Sequence, residues 1–212
     1  MEEQKRKFEV PYDDNTFHVF GIGGLDIDEF WDRCYHHYDF KECPGDIVTQ
    51  VFDSDDEVQQ YRLYWKGAST QGVYVTFFPG EKAHMHIELP WLGGVGDVRL
   101  AFAFMETLKE MYPECIILID DDRSGTFAVS QDNVDAMLYR RLENMKYLIT
   151  FPEEGEHGAA DGVMRRFIVP SKWDYPEKDI SELAIDAMMM FTNLQWNFED
   201  CEEAGEGEEE TV

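Results

Sequence analysis

Apolar residues alternate with polar ones in several short stretches of this chain and recur every three to four residues in others. Alternation marks a strand with one wet face, and the longer period marks a helix with one buried stripe. "FHVFGI" (17–22) reads as the first strand. "DIDEFWDRCYHHYDF" (26–40) follows as a helix with Ile27, Phe30, Trp31, Cys34 and Tyr38 on one side. Asp26 and Glu29 are placed to form a capping box at its start. Four strand-like runs come next: "DIVTQVF" (46–52), "QQYRLYWK" (59–66), "GVYVTFF" (72–78) and "AHMHIELP" (83–90). Their links, such as "DSDDE" and "PGEK", are short and rich in turn residues. Short links favour antiparallel neighbours, because a parallel crossover needs a dozen or more residues.

Past residue 90 the period lengthens. A second helix starts after "LGGVG", with Asp97 as its cap, and Pro113 stops it. The strand "CIILID" (115–120) precedes a third helix over roughly 131–147, capped by Ser130. Val134, Met137, Leu138, Leu142 and Met145 form its buried stripe. "VMRRFIVP" (163–170) reads as another strand. Asp179 and Glu182 open a last helix whose stripe is Ile180, Leu183, Ala184, Ala187, Met188, Phe191 and Leu194. Ile185, Met189 and Met190 widen that stripe, which predicts burial on more than one side. "LQWNFE" (194–199) is expected to close the fold as a strand. Strands grouped in the middle with helices around them predict an α+β fold. Its expected form is a central antiparallel sheet of about five to seven strands packed by about four helices. A single domain is expected over residues 1–198, followed by an acidic disordered tail, 199–212.

Composition narrows the class. The 212 residues are 43% hydrophobic and 14% aromatic, enough for a substantial core. No apolar run approaches the length needed to span a bilayer, so no membrane association is expected. "MEEQKRKFEVPYDDN" has no apolar segment behind its basic residues and does not read as a secretory signal. Cys34, Cys43, Cys115 and Cys201 lack metal-finger spacing and read as reduced thiols, which points to a cytoplasmic location. Charge changes the picture most. Asp and Glu number 45 against 18 Lys and Arg, for a net charge of −27. A field of that sign repels nucleic acid and anionic lipid and attracts basic proteins or cations, and plain solubility is the alternative reading of the same charge.

Three stretches carry candidate chemistry. "ECIILIDDDRSG" (114–125) runs a buried strand into three aspartates. Asp120 and Asp122 would project to one face, as a divalent-metal site requires, but Asp-Asp-Arg-Ser-Gly is equally turn chemistry. In "HMHIE", His84, His86 and Glu88 share one strand face, a ligand set suited to zinc or iron. The alternative is the wet side of a half-buried strand. With a four-residue loop at 79–82, His84 and His86 stand opposite Phe77 and Val75. One residue of slip places them opposite Phe78 and Thr76. "LGGVGDVR" resembles an anion cradle, although Asp97 at the helix start opposes an anionic ligand. "GIGGLD" fails as a dinucleotide fingerprint because Asp26 falls where the third glycine belongs. "DSDDEV" fails as a calcium loop, since Val58 and Tyr64 occupy its glycine and glutamate positions.

The sequence therefore points to a non-enzymatic, acidic, cytoplasmic protein that binds another macromolecule, a basic protein, with no direct nucleic-acid contact and no cofactor. In size and acidity it resembles the immunity proteins that neutralise bacterial toxins, by composition and through no motif. The alternative is a metal-dependent hydrolase that draws its ligands from His84, His86, Glu88, Asp120 and Asp122. The two differ in one observable. An enzyme gathers these groups in a concave pocket, whereas a binding module displays an acidic or aromatic patch on a flat or convex face.

Overall fold

A computed structural model describes residues 15–36, 47–54, 58–119 and 126–196. Six strands form one antiparallel sheet: β1 Asn15–Phe20, β2 Ile47–Ser54, β3 Gln59–Trp65, β4 Val73–Phe78, β5 His84–Leu89 and β6 Ile116–Ile119. The order across the sheet is β2-β3-β4-β5-β1-β6. β2 to β5 are a meander of tight links, as their turn residues predict. The first strand of the chain is inserted between β5 and β6. Among the described residues four helices accompany the sheet: α1 Ile27–His36, α2 Val95–Met111, α3 Gln131–Thr150 and α4 Ile180–Trp196. A two-stranded ribbon, β7 Ala159–Asp161 and β8 Arg166–Ile168, completes an α+β arrangement.

The inner face of the sheet carries Phe17, Val19, Leu63, Val75, Phe77, Met85, Ile87 and Ile117, all buried. α1 and α2 cover it. Phe30 of α1 packs edge-on to Phe104 of α2, Trp31 packs edge-on to Tyr61 of β3, and Phe102 of α2 packs on Phe17 of β1. A second apolar cluster joins α3, α4 and the ribbon. Met145, Ile149, Leu183, Ala187, Phe167 and Phe191 are buried there. Arg141 and Asn144 of α3 donate to the carbonyls of Leu89 and Trp91, which ties this cluster to the end of β5.

Several local expectations change. Ser130 caps α3 as predicted, accepting from the Asn133 N–H. Asp26 accepts from the backbone of Asp28 and Glu29, but Glu29 turns to Arg33 instead of closing the box. Asp97 is not the cap of α2. Gly94 takes that position, and Asp97 lies fully buried one turn in. Its carboxylate accepts the backbone N–H groups of Thr70, Gln71, Gly72 and Gly94 at 2.8–3.1 Å, with the Thr70 hydroxyl at 3.0 Å. Of the stretch "LGGVGDVR", which suggested an anion cradle, only Gly94 donates to this carboxylate, and the other three N–H groups come from residues 70–72. Leu194 and Trp196 belong to α4 and not to a closing strand. Ile185, Met189 and Met190 are 48%, 60% and 52% exposed, so the widened stripe is not buried on a second side among the described residues. One helical face meets α3 and the ribbon, and at the C-terminal end of the other Trp196 packs on Tyr64 and donates to the Ser69 carbonyl.

Candidate functional site: the outer face of the sheet

Side chains alternate across a strand, so the six strands that bury one face turn the other outward. This outer face is half-open. Phe20, Ile116 and Phe52 are 40%, 49% and 57% exposed, while His18, Thr76, Phe78, His84, His86 and Glu88 are half-buried. Phe52 stacks on Tyr74, and Arg62 lies over the same ring. Among the described side chains that point outward from the strands, Glu88 is the one acid and Arg62 the one permanent cation.

Register decides what the histidines meet. β4 pairs with β5 so that Phe78 stands opposite His84 and Thr76 opposite His86, the slipped of the two expected registers. On the other side of β5, Phe20 faces His84 and His18 faces His86. The rings form a continuous run. Phe20 stacks on His84 with centroids 5.7 Å apart, and His84 lies flat on Phe78 at 4.3 Å. Phe78 tilts against His86 at 5.1 Å, and His86 meets His18 at 4.4 Å. Burial, followed by the neighbouring His18 and His84, pushes the His86 imidazole down to about 4. His86 is therefore uncharged at neutral pH, and its ring adds to an aromatic surface.

His84, His86 and Glu88 do share one face, as the alternation requires. They do not converge. Four residues of extended strand separate His84 from Glu88 by about 13 Å. Glu88 instead lines a cavity of about 340 Å³ with Arg62, Gln71, Tyr74, Trp91 and Asp161. Among the described residues no group of three or more His, Cys, Asp or Glu side chains is placed to hold a metal ion. Asp120 and Asp122 lie outside the described residues. The sequence reading missed His18, whose alternation in "FHVF" was legible but whose neighbours depend on β1 inserting beside β5.

The two described thiols offer no nucleophile. Cys34 and Cys115 are free and buried, and burial pushes the Cys34 thiol up to about 12. A thiol that stays protonated is a core residue and not a reactive one. No described helix is long and apolar enough to cross a membrane. Comparison with protein-family models, curated proteins and solved structures finds no match to this chain.

Proposed function

We propose that this chain is a non-enzymatic, cytoplasmic binding protein that docks a basic protein partner on the outer face of its sheet, as an immunity or regulatory protein would. The observation that carries this reading is the half-open aromatic run Phe20–His84–Phe78–His86–His18, which contains no acid, in a chain of net charge −27. Interface cores are rich in aromatic side chains and poor in charge. The acids elsewhere supply a long-range field that speeds encounter with a Lys- and Arg-rich protein and repels nucleic acid. The hydrolase alternative has less support. Its histidines and carboxylate spread along one strand, with Glu88 alone of the three in a cavity, whereas catalysis needs them to converge in a pocket.

The test is affinity capture from cells of the source organism, followed by purification of any captured protein and measurement of its binding. A basic protein that binds one-to-one, weakens with salt, and loses about tenfold or more of its affinity to a Phe20→Ser, Phe78→Ser double variant supports the proposal. Binding indifferent to that variant would move the interface off the sheet. Metal-dependent hydrolysis that requires His84 or His86 would favour the alternative.

A further inference from the structure

We infer that the cavity at one end of the outer sheet face binds a free α-amino acid as its zwitterion. Arg62, Tyr74 and Glu88 stand side by side on β3, β4 and β5, because Arg62 pairs with Tyr74 and Tyr74 with Glu88. A cation and an acid therefore flank one aromatic ring. All three line a cavity of about 340 Å³, together with Gln71, Trp91 and Asp161. That volume lies at the small end of ligand sites and suits a molecule of amino-acid size. The walls are held in place by the chain itself. The Arg62 guanidinium lies over the Tyr74 ring, 5.2 Å from its centroid, and donates through Nε and Nη2 to the Gln71 carbonyl at 3.1 and 2.7 Å. The Gln71 side chain donates to the Asp161 carbonyl and accepts from the Leu92 N–H. Side chains fixed beforehand lower the ordering cost of binding.

The charges select the ligand class. Arg62 makes no ion pair among the described residues, and its Nη1 makes no hydrogen bond among them. A guanidinium with a nitrogen to spare suits a carboxylate. Glu88, across the ring, suits an ammonium group. Asp161 adds little to this balance, because its side chain is 86% exposed and meets Arg166 at 3.8 Å. A simple anion would have to enter against a net charge of −27, and a simple cation would meet Arg62. A zwitterion answers both groups and carries no net charge of its own. Tyr74 and Trp91 offer apolar surface to its side chain. The aromatic run lies farther along the sheet, where Phe78 is four residues and about 13 Å from Tyr74 on the same strand. The docking proposed above therefore stands or falls separately.

Titration of the full chain with each protein-forming amino acid in turn, followed by amide NMR, reads the outcome directly. The expected result is saturable binding of at least one of them below about 10 mM, with the largest shifts at Gln71, Tyr74, Glu88 and Trp91. The N-acetyl form of that amino acid lacks the ammonium charge, and its methyl ester lacks the carboxylate. Each should bind about tenfold or more weakly than the free amino acid. Arg62→Gln and Glu88→Gln should each weaken binding to a similar degree. Glu88→Gln keeps the shape of its side chain and decides the matter where loss of the Arg62 anchor unfolds the chain. A chain that no free amino acid saturates overturns the proposal. So does binding whose shifts fall outside the cavity, and so do blocked forms that bind as well as the free amino acid. Binding indifferent to Glu88→Gln overturns it as well.

Discussion

His18 stands edge-on to His86 across the pairing of β1 and β5, with ring centroids 4.4 Å apart and planes at 81°. Two imidazoles held this way cannot both take a proton without repulsion, and His84 lies 5.4 Å from His86 on its own strand. The His86 imidazole is accordingly held down at about 4, against an ordinary value of 6.5, with burial the largest cause.

That depression sets a pH dependence. The unfolded chain takes up the His86 proton as pH falls through 6.5, and the folded chain does so only near 4. Stability contributed by neutral His86 is present above that window, is lost between 6.5 and 4, and changes no further below it. The full shift would be worth about 3 kcal/mol, and solvent contact on the half-open face reduces this to about 1–2 kcal/mol. Carboxylate protonation shifts the whole curve in so acidic a chain, so the measurement is a difference. Denaturant unfolding of the parent and of His86→Phe should diverge steadily on acidification through this window. Parallel curves would mean that the imidazole is not held neutral.

Asp97 governs how the link from β3 to β4 sits on α2. Removing its carboxylate strands three buried backbone N–H groups and the part-buried one of Gln71, and a buried one costs roughly 1–3 kcal/mol when left without an acceptor. Water entering the vacated space recovers part of this, and Asp97→Ala should destabilise the fold by about 3–5 kcal/mol. Asp97→Asn keeps the shape and one acceptor oxygen and should cost less. Amide exchange at Thr70, Gln71 and Gly72 should quicken in the alanine variant before global unfolding does. Unchanged exchange at those three amides would show that the loop is held by other means.

Phe191 anchors the second cluster. It is fully buried and lies flat on Phe167, with centroids 5.0 Å apart and planes at 11°. Truncation to alanine should cost about 3–5 kcal/mol, a large part of a domain's net stability. The expected outcome is an insoluble or broadly melting protein. A sharp melt near that of the parent would place α4 outside the cooperative unit.

Local pattern determined much of this molecule. Among the described residues, seven of the eight strands and all four helices follow from the spacing of apolar residues, because side-chain direction repeats every two residues in a strand and every 3.6 in a helix. The same rule put His84, His86 and Glu88 on one face. What lies across from those residues was decided by the tertiary structure. His18 reaches His86 only because β1 inserts beside β5, some 65 residues away in sequence. The choice between two registers for β4 and β5 turned on a single residue of loop. Asp97 read as a helix cap, because capping residues and buried anchors share the same carboxylate chemistry, and only the returning loop at 70–72 distinguishes them. The wide stripe of α4 read as buried, because apolar spacing reports which side chains would gain from leaving water and not which of them the described residues cover. Periodicity is a property of the backbone and is written locally. Pairing and coverage depend on segments distant in sequence, and the free energies that choose among them are summed over the whole fold.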